Sequence, residues 1–135
     1  MRMAERGEAG STEDLDRVLA DLRVLSGDIE SCGVLSRDGE LLSSSHGEGV
    51  DRERVAAMVA ALTNLAERMA RENGKDNASQ VRVKAEGGYV LLVRLEAGGA
   101  LVATTGADAR VGLVLYDMRN ARGEVEKALE RGNYR

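Results

Sequence analysis

The sequence predicts an α/β (α+β) fold: a single five-stranded, mainly antiparallel sheet sandwiched between helices, in the order α-β-β-α-β-β-β-α. Three observations predict it. Extended segments fall into two groups, joined internally by turns short enough to be hairpins. A strongly periodic helical stretch separates the groups, and another stands at each end. The segment Tyr89 to Leu95 is apolar on both alternating sets of positions, as expected of a strand covered on each side.

The first helix is expected over roughly Thr12 to Leu25, where Leu15, Val18, Leu19 and Leu22 share one face and Ser11 with Asp14 resembles a capping box. Gly27 stops it. Ile29 to Ser36 and Glu40 to Ser44 then form strands one and two, around a two-residue turn at Asp38-Gly39 that supplies positive φ values. The loop at His46 and Gly47 leads to a second helix capped by Asp51 and ended by the left-handed stop Asn73-Gly74. Strand three alternates Gln80, Arg82 and Lys84 with Val81, Val83 and Ala85, giving a wet and a dry face. Gly87-Gly88 and Gly98-Gly99 turn the chain through strands four and five, of which strand four, the more apolar, is expected at the centre. From about Asp108 a last helix carries Val114, Met118, Ala121, Val125 and Leu129 at helical spacing, interrupted by Gly112 and Gly123.

With 135 residues, 43% apolar and 31% charged, the chain holds one core, expected over 11–132 behind a flexible tail at 1–10. Only three aromatic residues are available, so that core is built from Leu, Val, Ala and Met. Its charges are interspersed and sum to -4, which argues against a phosphate-backbone surface and hence against nucleic acid. The charged residues Arg2, Glu5, Arg6 and Glu8 stand where a secretory signal would need an apolar core, so no such signal is expected in this stretch. The longest apolar run, Val55 to Ala66, is too short to cross a bilayer, so no membrane insertion is expected. A single cysteine precludes an internal disulfide, and the expected location is cytoplasmic.

The middle helix holds the most functional information. Val55, Val59, Leu62, Ala66 and Met69 form one apolar stripe, enough to cover a sheet face. A neighbouring row adds Met58, Ala61 and Leu65, so the helix carries more apolar circumference than one sheet can cover. A second copy is the simplest cover. Met58 and Leu65 from two chains would contribute roughly 6–12 kcal/mol against an association cost of about 4–15 kcal/mol. More contact is needed, and strand three can supply it by pairing edge to edge. The expected homodimer interface is therefore Met58, Ala61, Leu62, Leu65 and Met69 with Gln80, Val81, Arg82 and Val83.

The order of elements, the hairpin Gly33-Val34-Leu35-Ser36-Arg37-Asp38-Gly39, the alanine-rich second helix and the run Ala107-Asp108-Ala109-Arg110-Val111-Gly112-Leu113 resemble the roadblock/dynein light chain family, including its MglB-like members. The resemblance spans about Asp14 to Leu129. It implies a sheet with the second helix on one face and the terminal helices on the other. It also implies dimerisation through that helix and strand three, and a scaffold or regulator of small Ras-like GTPases. The family has no short catalytic signature to transfer, so Arg52, Arg54 and Arg68 are candidate partner contacts only.

No catalytic, metal or cofactor site is expected. Glu72-Asn73-Gly74-Lys75-Asp76 lacks the spacing and hydroxyl of a phosphate-binding loop, and Cys32 with His46 has no third member. One Cys and one His leave no ligand set for a metal. The expectation is a non-enzymatic binding protein. The alternative is a small-ligand sensor or a general protein-interaction module of the same fold, and the lack of aromatic lining and of convergent polar groups argues against the sensor.

Overall fold

The computed structural model describes residues 12–45 and 49–132. Its elements follow the expected order: α1 (Glu13–Leu25), β1 (Ile29–Leu35), β2 (Leu41–Ser44), α2 (Arg52–Glu72), β3 (Gln80–Ala85), β4 (Gly88–Arg94), β5 (Ala100–Thr105) and α3 (Val111–Arg131). All strand pairings are antiparallel, in the order β2-β1-β5-β4-β3. β5 is therefore the central strand, and the expectation of β4 there is corrected. Its small residues explain the choice: Ala100 and Ala103 are buried on opposite faces, where helices approach from both sides.

On one face, α1 buries Leu15, Leu19 and Leu22, and α3 buries Val114, Leu115, Met118, Val125 and Leu129, against Cys32, Val34, Leu91, Val93, Leu101 and Ala103. Gly112 and Gly123 do not interrupt α3; both lie on its open side. On the other face, α2 sets Ala56 and Val59 over Leu35, Leu92, Ala100 and Val102.

Turn chemistry departs from expectation at the first hairpin. Ser36 and Glu40 close a three-residue loop, Arg37-Asp38-Gly39, with the Gly39 N–H donating to Ser36 O at 3.0 Å and the Ser36 N–H to Glu40 O at 2.8 Å. Gly39 alone takes a positive φ, 91°. This is the turn-plus-bulge solution, which needs one left-handed residue where the two-residue turn needs two.

Ser11, half of the expected capping box, lies outside the described residues, as do the tail 1–10 and the loop at His46 and Gly47. Thr12 holds the N-cap position of α1, and its hydroxyl donates to Asp16 Oδ2 at 3.3 Å without capping a backbone N–H. At α2, Asp51 caps as expected, its carboxylate accepting from the Arg54 N–H at 3.1 Å. α3 starts at Val111, three residues later than expected, and has no acid in its first turn. Asp28, from the α1–β1 corner, supplies the cap from a distance: one carboxylate oxygen accepts from Arg110 N at 2.9 Å and Arg110 Nε at 3.2 Å. At the opposite end of this antiparallel helix pair, Asp14 accepts from Arg131 Nε at 2.8 Å.

These two carboxyls set the acid response. The Arg110 backbone N–H, with its guanidinium, holds Asp28 below the usual aspartate value of 3.8, and the hydrogen bond from Arg131 does the same for Asp14. A carboxyl with a depressed folded-state pKa adds stability that is complete above the unfolded value and lost as pH falls through the folded one. The melting temperature is expected to hold between about pH 7 and pH 5 and to decline below about pH 4. Asp28→Asn keeps an acceptor for Arg110 N but does not titrate, so its acid decline should be shallower. An unchanged acid limb in a pH series of thermal melts would exclude Asp28 as a contributor.

Candidate interaction face

Twelve positions of α2 are exposed in the single chain and nine are buried or half-buried, and their spacing divides the helix into two surfaces. Val55, Ala56, Val59, Leu62 and Ala66 cover the sheet. Met58, Ala61, Leu65 and Met69 face outward, with Met58 57%, Leu65 56% and Met69 63% exposed. Met69 thus belongs to the outer row and not to the covering stripe. At 3.6 residues per turn, Arg54 and Arg68 fall on the same outward face and bracket the apolar row.

The remaining candidates divide in the same way. Leu62 and Val81 are half-buried and pack into the layer beneath α2, so they support the face from below. Gln80, Arg82 and Val83 are exposed on β3, an outer strand of the sheet whose only pairing among the described residues is with β4. The dry face expected for β3 is incomplete: Val81 is half-buried, but Val83 is 37% exposed. Gln80 lies on the other face, where Arg119 Nη1 donates to its Oε1 at 3.1 Å. Among the described residues, the structure therefore leaves an apolar row of α2 and the outer edge of β3 without partners.

Arg52 stands apart from Arg54 and Arg68. Its Nη2 donates to Leu41 O at 3.5 Å, and it borders an open hollow of about 600 Å³ with Gly39, Glu40, Leu41, Glu53 and Ala56. Sixteen residues of helix, about 24 Å, separate it from Arg68, so the three arginines do not form one cluster.

Glu67 was not singled out from the sequence. It is 6% exposed, and its carboxylate accepts from Arg71 Nη1 at 3.0 Å, from Arg94 Nη1 at 2.9 Å and from Ala78 N at 3.0 Å. This carboxylate locks α2 to β4 and to the segment entering β3, which fixes the helix row relative to the strand edge. Charge pairing and a third hydrogen bond offset the desolvation of a buried carboxylate. The available signal was an acid one residue after Ala66, inside an otherwise apolar stripe.

Cys32 and Ser43 serve the fold itself. The Cys32 thiol is buried, 3.9 Å from Leu19 O, and burial pushes its pKa up. Such a thiol is a packing element and a poor nucleophile. Ser43 is buried and donates to Asp16 across the β2–α1 gap, so it is a polar tie within the fold. Among the described residues no group of three His, Cys, Asp or Glu is placed to hold a metal, and no helix is long and apolar enough to cross a membrane.

The comparisons with known proteins agree with this architecture. The family model described as Roadblock/LC7 domain matches residues 15–105. An uncharacterized protein of Methanocaldococcus jannaschii is 35% identical over 113 residues, which cover 83% of this chain and 96% of that protein. Among solved structures, Myxococcus xanthus MglB superimposes with a TM-score of 0.78 at 16% identity, covering 98% of this chain and 95% of that one. An MglB with a tetrameric arrangement gives 0.77 at 16% identity, covering 92% and 93%. At these identities the two structures speak for the fold. With two thirds of its length matched by the family model, the chain is a member of the Roadblock/LC7 domain family.

Proposed function

We propose that the chain is a non-catalytic, cytoplasmic homodimer that regulates or scaffolds a small Ras-like GTPase. The observation that carries this reading is the conjunction of the outward α2 row with the open β3 edge. Two copies related by a twofold axis would stack Met58, Ala61, Leu65 and Met69 against their symmetry mates and pair β3 with β3. The result is one continuous sheet with two α2 helices on a single face. Self-association in a relative, the MglB with a tetrameric arrangement, supports this reading.

Arg54 and Arg68 at the ends of the apolar row are the side chains best placed to meet an acidic partner surface. Their role is recognition: Arg68 stands 4.0 Å from Glu72 in an exposed pair, and Arg54 forms no ion pair among the described residues. Exposed charges of this kind accelerate encounter and select partners more than they add affinity.

The test is direct. Light scattering on the purified chain should give twice the monomer mass. A Ras-like GTPase encoded nearby should bind it in a nucleotide-dependent way or change its rate of GTP hydrolysis. Absence of both effects against every such GTPase would remove the GTPase from the proposal, while a monomeric mass would remove the platform itself.

A further inference from the structure

A second groove lies on the opposite face of the sheet, between α1 and α3. Val18, Leu22 and Ala121 form its floor, and the groove has a volume of about 190 Å³. Leu25, at one end, is 70% exposed although it is a leucine on a helix packed against a neighbour. One turn before Asp117, on the same ridge of α3, Leu113 is 55% exposed, and Tyr116 beside it is 56% exposed. The rim is acidic: Asp21 on α1 faces Asp117 and Glu124 on α3. Glu124 is paired with Lys127 at 3.4 Å, whereas among the described residues Asp21 and Asp117 form no ion pair.

We propose that this groove receives a basic amphipathic helix from a partner protein, apolar side chains on Leu22 and Leu25 and Lys or Arg against Asp21 and Asp117. Two parallel walls of helix with an apolar floor suit an inserted helix, whose anchors recur every three or four residues. The unpaired carboxylates on either wall select the sign of its flanks. A second copy of this chain is the wrong occupant, because twofold pairing through the groove would set Asp21, Asp117 and Glu124 against their own counterparts. The groove and the α2–β3 face lie on opposite sides of the sheet, so this proposal stands without the dimer and would let one chain hold two partners at once.

The probe is a fluorescein-labelled Leu/Lys amphipathic peptide about five helical turns long, with a Leu/Glu peptide of the same pattern as control. Anisotropy should show saturable binding of the Leu/Lys peptide, one per chain, and none of the control. Amide chemical shifts should move at Val18, Leu22, Leu25, Asp117 and Ala121. Asp21→Lys with Asp117→Lys should weaken binding on the order of tenfold, while Leu65→Asp on the other face should leave it unchanged. If the double reversal fails to fold by circular dichroism, Asp21→Asn with Asp117→Asn replaces it and should weaken binding by about threefold. Equal binding of both peptides, a shift footprint outside the groove, or affinity indifferent to these substitutions would overturn the proposal. So would groove shifts that track protein concentration without peptide, which would identify a second copy as the occupant.

Discussion

Leu65→Asp should turn a dimer into a well-folded monomer. Leu65 is 56% exposed in the single chain, so the substitution opens no cavity in the protomer's own core. In the proposed twofold platform the same position would lie between two α2 helices and appear twice. Losing the remaining apolar burial at both copies costs about 2–3 kcal/mol, and confining two carboxylates near the axis adds desolvation and like-charge repulsion. The dissociation constant should rise at least about a hundredfold, visible in sedimentation as a shift to monomer mass with an unchanged circular dichroism spectrum. Leu113→Asp, on the other side of the sheet and 55% exposed, is the matched control and should leave the dimer intact. A dimer that survives Leu65→Asp would remove α2 from the interface.

Gly88→Ala should come close to abolishing the fold, while Gly87→Ala, one residue earlier, should be nearly silent. Gly88 opens β4 with φ at 144°, and a Cβ there would stand 1.8 Å from Thr105 O, a backbone atom of the central strand. Neither the strained φ nor the collision can be relieved by a side-chain rotation, so the β4–β5 pairing must shift at its end. A loss of about 4 kcal/mol or more is expected, a large share of the stability of a domain this size. A Cβ at Gly87 meets nothing within 4 Å, and its φ lies outside the left-handed range, so Ala changes stability by less than about 1 kcal/mol. Denaturant melts of the pair check this, and equal stability of the two variants would refute the backbone argument.

The candidate face was legible to the extent that it is written in spacing. Met58, Ala61 and Leu65 repeat at helical intervals outside the covering stripe, and their exposure follows from that count alone. Met69 lies at the border of both rows, and periodicity assigned it to the wrong one. The spacing marked Glu67 only as an acid within an apolar stripe and did not reveal its partner, because Arg94 belongs to a strand that reaches α2 only through the tertiary fold. The groove between α1 and α3 is hidden for the same reason: Asp21 and Asp117 are 96 positions apart, and the antiparallel packing of two helices brings them to facing walls.

By itself the sequence determined the identity and order of all eight elements, the glycine turns between them and the excess apolar face of α2. Each of these depends on interactions within a few residues, where helical and strand periods and turn preferences act directly. The tertiary structure alone decided that β5 is central, that Asp28 caps α3 from 82 residues away, and that Gly88 abuts Thr105. Those outcomes depend on which strands pair and how helices close over them, where volume and backbone clearance summed over distant segments choose among arrangements that local patterns leave equally open.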